Sequence, residues 1–337
     1  MVIDFRSDTF TKPTPEMLEV MFQAEVGDDV FEEDPTINRL ESFAASLFGM
    51  EAGLFCSSGT QTNQVAINVH TKPGDDIICD QYAHIHYYEG GGIAANSAAT
   101  VSLIAGNRGL ITPTQVEGAI KVDDVHFPAT RLVALENTSN KGGGSIYEME
   151  TILQIKSICK NHDLNFHLDG ARVFNALVER DYTPTDLGKT FDSISVCLSK
   201  GLGAPVGSIL LGNKKFIHQA RRVRKRFGGG MRQAGYLAAA GIYALENNVS
   251  RLKKDNDNAK YLGDLLNKQS YVASVEPIDT NIVMFDTNSD VDVDALLGHW
   301  ESNGIKALQL SPGRIRLVTH LDITDDMMDQ VEQKMKF

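Results

Sequence analysis

Short apolar runs alternate with amphipathic stretches along most of the chain. The first clear helix signal is "DDVFEEDPTINRLESFAASLFGM". Asp34 is placed to cap it, Pro35 suits the first helical position, and Ile37, Leu40, Phe43, Ala44 and Leu47 share one face. After it, "GLFCS" reads as a strand, "QTNQVAINVH" as a helix, and "DIICD" and "TVSLIA" as strands. "TPTQVEGAI" opens a helix, with Thr112 and Gln115 at capping-box spacing and Pro113 in the first turn. "RLVALEN" reads as a strand, "METILQIKSICKNH" as an amphipathic helix, and "LNFHLD", "SISVCLS" and "GSILLG" as strands. This alternation predicts an α/β fold, a largely parallel sheet with helices on both faces. The polar stretch "ENNVSRLKKDNDNAK" predicts a domain boundary near 245–260. Beyond it, "TNIVMFDT" and "RIRLVTH" read as strands and "DVDALLGHWESNG" and "TDDMMDQVEQKMKF" as helices, enough for a small α/β domain. The first thirty residues carry several charges and no clear period.

At 337 residues the chain exceeds the size at which one core usually keeps growing, which agrees with a large domain plus a smaller one. The net charge of −12 argues against nucleic acid or an anionic membrane as the main partner. The basic run "RRVRKR" at 221–226 reads as a solvated helix face or a subunit contact. Cys56, Cys79, Cys159 and Cys197 form no C-x-x-C pair and read as free thiols in a reducing cytosol. The segment "MVIDFRSDTF" has no basic region followed by an apolar one, and no run approaches the roughly 18 apolar residues of a membrane span. The expectation is a cytoplasmic protein.

Candidate chemistry lies at strand ends. "FHLDGAR" ends a strand at Asp169, "SVCLSKG" ends one at Lys200 among small residues, and "LFCSSGTQTNQ" runs from strand into helix through Gly59 and Thr60. In such sheets, ligands sit beyond the carboxyl ends of the strands. A lysine can hold an aldehyde as an imine. An aspartate can keep a pyridine nitrogen protonated, and a Gly-Thr turn at a helix N-terminus offers N–H groups and a hydroxyl to a phosphate. Pyridoxal 5'-phosphate carries all three groups.

The sequence resembles the low-specificity L-threonine aldolases, which belong to the fold type I, aspartate-aminotransferase-like pyridoxal-phosphate enzymes. The matching segments are "DFRSDTFTKPT", "VGDDVFEEDPT", "SSGTQTNQVA", "AHIHYYEGGG", "HLDGARVFNA", "CLSKGLGAPVGSILLGN", "GGGMRQAGYLAAAGIYAL" and "RLVTHLDIT". The resemblance implies a large cofactor-binding domain over residues 1–250, with a mostly parallel seven-stranded sheet, and a small domain over 251–337. It also implies that the segment 1–30 contributes to the active site. Carried across by position, Lys200 resembles the Schiff-base lysine and Asp169 the partner of the pyridine nitrogen. Arg172 resembles the arginine near the ring's phenolic oxygen, and Gly59 and Thr60 the phosphate cradle. His84 is similar to the histidine stacked on the ring, and His126 to a second histidine near the substrate hydroxyl. Ser7 and Arg316 resemble the pair that holds the substrate carboxylate. Arg232 is similar to a phosphate ligand donated by a neighbouring subunit.

The implied activity is reversible cleavage of L-threonine, L-allo-threonine and related β-hydroxy-α-amino acids to glycine and an aldehyde, with His84 or His126 as base. The implied assembly is a homotetramer with active sites at dimer contacts. The scaffold equally suits a β-eliminating lyase, a racemase, a serine hydroxymethyltransferase-like enzyme or a non-catalytic cofactor-binding protein. Two positions depart from the pattern. Phe31 stands where many relatives have tyrosine, and Ser139 replaces the histidine of "ENTHN", followed by an unusual "KGGGS" loop.

Overall fold

The computed structural model describes residues 1–337. Its strands are β1 (Ile3–Asp4), β2 (Ala52–Cys56), β3 (Asp76–Asp80), β4 (Thr100–Ile104), β5 (Thr130–Glu136), β6 (Asn165–Gly170), β7 (Ser193–Cys197), β8 (Ser208–Gly212), β9 (Val272–Val275), β10 (Ile282–Thr287), β11 (Ile305–Lys306), β12 (Leu308–Ser311) and β13 (Arg314–Val318). The large sheet has seven strands in the order β2-β8-β7-β6-β5-β3-β4. β8 pairs antiparallel with both its neighbours, and every other pairing is parallel. This is the expected fold type I architecture. Its central strands are apolar along their length because both faces are covered. Ile78 joins the core under helices Pro35–Phe48 and Met149–Asn161, while Ile77 and Cys79 join the one under helix Gly59–His70.

Helix Pro35–Phe48 starts as its sequence predicts, with Asp34 accepting from the N–H groups of Thr36 and Ile37. Its buried stripe differs from the predicted one. Phe48 and Glu41 are buried, whereas Phe43 and Leu47 are half-buried. Glu41 goes inward because it accepts the Phe55 N–H at 2.8 Å and pairs with Arg221 at 2.8 Å.

The polar stretch near 245–260 is a short turn followed by helix Leu252–Leu266. Asp255 and Asn256 are buried in it, the first paired with Arg251 and the second bonded to Asn175 and Glu179. The polarity of this stretch belongs to a helix whose buried polar groups are satisfied.

The second sheet is antiparallel, in the order β12-β13-β10-β9. A separate core of Val283, Phe285, Trp300, Leu317 and Val331 backs it, together with Ile3 and Phe5 from the start of the chain. β1 pairs in parallel with β11. The chain thus begins in the small domain's core and passes the rim of the large sheet before entering the large domain.

The KGGGS loop joins the two domains. Arg108 pairs with Asp279 at 2.8 Å and donates to the Pro277 carbonyl at 2.6 Å. Ser145 Oγ donates to the Arg108 carbonyl at 2.6 Å, and Thr280 Oγ1 donates to the Gly144 carbonyl at 2.8 Å. A Cβ on Gly142 would collide with the Arg108 carbonyl, and one on Gly144 with the Thr280 hydroxyl. The close approach of two backbones is the reason for glycine here. Gly142→Ala is expected to destabilise the protein by about 3 kcal/mol, the upper end for overpacking, read as a lowered midpoint in denaturant unfolding.

Candidate active site

The chain beyond the carboxyl ends of β3, β5, β6 and β7, the chain near Ser7 and strands β12 and β13 line one cavity. Lys200 follows β7, where the chain turns back toward β8, and its carbonyl accepts from Thr11 Oγ1 at 3.1 Å. Ser7, His84, Arg172, Lys200 and Arg316 line this cavity together, joined by Thr9, Tyr88, Asn140, Leu308 and Leu310. Residues far apart in sequence meet here; of the strand-end candidates only Lys200 lines the cavity, and Ser7, His84, Arg172 and Arg316 are positions named from the resemblance.

Asp169 lies deeper. Its Oδ2 accepts from Asn63 Nδ2 at 2.8 Å and its Oδ1 from the Ala171 N–H at 3.1 Å. Asn63 and Gln64 both donate to Glu89, at 3.0 Å and 2.6 Å, and Glu89 accepts the His84 Nδ1–H at 2.9 Å. That bond leaves His84 Nε2 as the free lone pair of the neutral ring. Burial pushes His84's pKa down, but the Glu89 hydrogen bond and the Asp169 charge outweigh it, so the net direction is up. Ligand-type atoms of His84, Glu89 and Asp169 lie within 4.8 Å of one another. The amide donors already on both carboxylates make this a hydrogen-bond network rather than an open cation site.

Arg172 is buried and commits two donors to Asp8, at 2.7 Å and 2.8 Å. Burial alone would push the Asp8 carboxyl up. Arg172 outweighs that, with a further contribution from Lys200, and holds it well below the usual carboxylate range. Asn281 adds a hydrogen bond at 3.3 Å. Arg316 is buried as well, yet faces no carboxylate. Its Nη1 donates to Asn140 Oδ1 at 2.9 Å, its Nη2 to the Arg6 carbonyl at 3.2 Å, and its Nε has no partner. Arg314, its neighbour on β13, points the other way and is neutralised by Asp286 at 2.7 Å and Glu276 at 3.0 Å.

The residues fit pyridoxal phosphate. Helix Gly59–His70 presents its N-terminus, capped by Ser58, with Gly59 and Thr60 as its first residues. A Cβ at Gly59 would lie 3.6 Å from Ser208 Oγ, a fully buried hydroxyl with no partner. An orphaned hydroxyl beside free helix N–H groups suits a phosphate, and Asp169 retains acceptor capacity for a ring N–H.

Two expected residues stand outside this cavity within one protomer. His126 is exposed in the loop before β5, its Nδ1 bonded to Asp124 at 2.6 Å. The topology explains it, because residues entering β5 lie at the amino edge of the parallel strands, opposite Lys200. Arg232 is exposed too and pairs with Asp28 at 2.8 Å. Of the two departures, Phe31 is exposed, and Ser139 turns into its own loop, where it accepts the Gly142 N–H at 3.2 Å. The basic run is a helix face that turns Arg221 and Arg224 inward onto Asp29, Glu32 and Glu41. Sequence reading missed Asp8, Asn63, Glu89, Glu136 and Asn140. For Asp8 and Glu89 the signal was present in the quoted segments "RSDT" and "YYEGGG", as acidic residues beside assigned ones.

Comparison with known proteins agrees with this geometry. A family model described as beta-eliminating lyase matches residues 4–290. The low specificity L-threonine aldolase of Escherichia coli K12 is 42% identical over 331 residues, covering 98% of this chain and 97% of the relative. The chain belongs to the low-specificity L-threonine aldolase family. Low-specificity L-threonine aldolase 1 of Arabidopsis thaliana is 40% identical, covering 96% of this chain and 92% of the relative. The threonine aldolase structure from Leishmania major superposes with a TM-score of 0.85 at 21% identity, covering 98% of each chain. Membership makes this chain a pyridoxal-phosphate-dependent lyase. No helix is long and apolar enough to cross a membrane, and the four cysteines are free and buried.

The Asp8–Arg172 pair is the site's buried ionic support. Asp8→Asn leaves the guanidinium without its counter-charge and is expected to cost about 3 kcal/mol or more of unfolding free energy, measured by denaturant titration.

Proposed function

We propose that this chain cleaves L-threonine, L-allo-threonine and related β-hydroxy-α-amino acids to glycine and an aldehyde. The observation that carries the reading is Arg316. It is a buried guanidinium with no carboxylate within ion-pair distance and an unpartnered Nε, in the same cavity as Lys200 and His84, and Asp8 acts on it only from farther off. Burial and the like charge of Arg172 both push its pKa down. A substrate carboxylate relieves that imbalance, and Ser7 beside it adds a hydroxyl.

Lys200, Asp169, Arg172, Gly59 and Thr60 would hold the cofactor, with Ser208 as a further donor. When bound, pyridoxal phosphate supplies an aldehyde for the Lys200 amine and a cationic ring that draws electrons from the substrate's α-carbon. Asp169 keeps the ring nitrogen protonated. Arg316 and Ser7 fix the carboxylate, which sets the rotation of the α-carbon and presents its bond to Cβ for cleavage. His84 Nε2 takes the β-hydroxyl proton as the Cα–Cβ bond breaks and the aldehyde carbonyl forms. Glu89 holds the ring in the tautomer this requires. Returning a proton to the α-carbon completes glycine.

The same reading makes the enzyme a cytoplasmic homotetramer. His126 is flanked by Val122, Val125 and Phe127, all exposed. Exposed apolar side chains around it support a subunit contact. His126 and Arg232 would then act in the site of a neighbouring protomer.

Lys200→Ala is expected to abolish cleavage of L-threonine while the fold persists, and borohydride reduction of the holoenzyme to place its label on Lys200. Normal turnover in that variant, or a label on another lysine, overturns the assignment. Arg316→Ala is expected to raise KM about 10- to 100-fold, the loss of a hydrogen bond to a charged partner.

The pH profile tests His84. A base must be neutral to accept a proton, so a raised pKa moves the rise in kcat to higher pH. The rise is expected above the 6.5 of an ordinary histidine. Glu89→Gln removes the strongest upward influence and is expected to shift it down. A profile flat from about pH 6 to 9 excludes His84.

A further inference from the structure

We propose that Glu136 is a positioning residue that sets the distance between His84 and the Arg316 carboxylate site. It closes β5, is paired in register with Asp169 and is buried. Its Oε2 accepts the His84 N–H at 2.8 Å and its Oε1 accepts the Asn140 N–H at 2.8 Å. The Asn140 side chain then accepts from Arg316 at 2.9 Å and from Arg172 at 3.5 Å. One carboxylate therefore ties together the backbone that carries the base and the backbone that carries the arginine's partner.

The cost of keeping Glu136 in this place argues for a role. It makes no ion pair, and the Arg172 and His84 charges act on it only from beyond that distance. Burial pushes its carboxyl up to about 7, the charge of Asp169 adds to that, and the two backbone donors work in the opposite direction. A buried carboxylate facing another is expensive, and a loop cap alone could use a neutral side chain. Two backbone N–H donors converging from separate loops need two acceptors on one rigid group. A glutamine offers one acceptor and turns an NH2 against the other N–H, so the isosteric change breaks one arm.

The inference rests on the reading of the site given above, and its test separates the two. Glycine affinity of the holoenzyme, measured by calorimetry, reports the Arg316 arm without turnover. The kcat for L-threonine reports the His84 arm. N140A is expected to weaken glycine binding about tenfold. E136Q is expected to weaken it about five- to tenfold and to lower kcat about tenfold. The double variant E136Q/N140A is expected to bind glycine no more weakly than N140A, because Glu136 acts on Arg316 through Asn140. Multiplying effects on glycine affinity, or wild-type glycine affinity and kcat in E136Q, overturn the proposal. Should E136Q not fold, E136D retains the charge on a shorter stem and is expected to lose glycine affinity and kcat together; loss of one or neither overturns it. A wild-type enzyme that binds glycine but does not cleave threonine overturns the reaction, and leaves the glycine cycle to decide on Glu136.

Discussion

Two buried guanidinium groups meet at one amide oxygen. Arg172 and Arg316 both reach Asn140 Oδ1, and Asp8 neutralises only Arg172. Arg316 has no carboxylate within ion-pair distance, and Lys200 lines the same cavity. An imbalance of this kind costs free energy in the empty protein, and binding an anion recovers it. Under the proposed reading, recognition of a carboxylate is set before any contact with the reacting bond, and Arg316 is the fixed point that would place the amine and β-hydroxyl relative to Lys200 and His84.

That fixed point depends on the joining of two cores. Ile3 and Phe5 belong to the small domain's core, while Ser7, a turn later, lines the cavity and Asp8 is buried against Arg172. The Val318 N–H donates to the Phe5 carbonyl and His320 lies 2.7 Å from the Asp4 carbonyl, so the start of the chain and the strand carrying Arg316 are stitched together. Arg108 and the glycine loop hold the other side of the domain junction. Arg316 is carried by the second sheet, whereas Asp169 lies on β6 of the large sheet and Lys200 in the turn after β7.

This division explains what the sequence made legible. Every strand of the large sheet is announced by a local apolar run; for the central strands the reason is burial on both faces, while the edge strand β4 is partly exposed. Lys200 and Asp169 stand out as polar residues ending such runs. Asp8 is visible only as an acidic residue beside Ser7, and its pairing with Arg172, 164 positions away, is not. Asn140 is hidden for the same reason, 176 positions from Arg316. The short strands β1, β9, β11 and β12 lack a period long enough to read. His126 and Arg232 came from resemblance alone, and the fold of one protomer leaves both at its surface.

The polar residues beneath Asp169 have a direction, and the direction has a consequence. His167 and Asp169 alternate on β6 and so share a face. Asn63 gives its NH2 to the carboxylates, which leaves its Oδ1 to accept from His167 Nε2 at 3.1 Å. His167 Nδ1 must then accept from Ser193 Oγ at 2.8 Å, and Ser193 in turn accepts from His70 Nε2 at 2.7 Å. Each tautomer in this row follows from the one before it. Burial holds both imidazoles neutral, pushing His167 down to about 3 and His70 to about 4. A neutral row with every donor aimed toward Asp169 stabilises its negative charge without offering a competing cation. The counter-charge is then left for the ring nitrogen to supply, which is what an aspartate must permit if it is to keep a pyridine protonated.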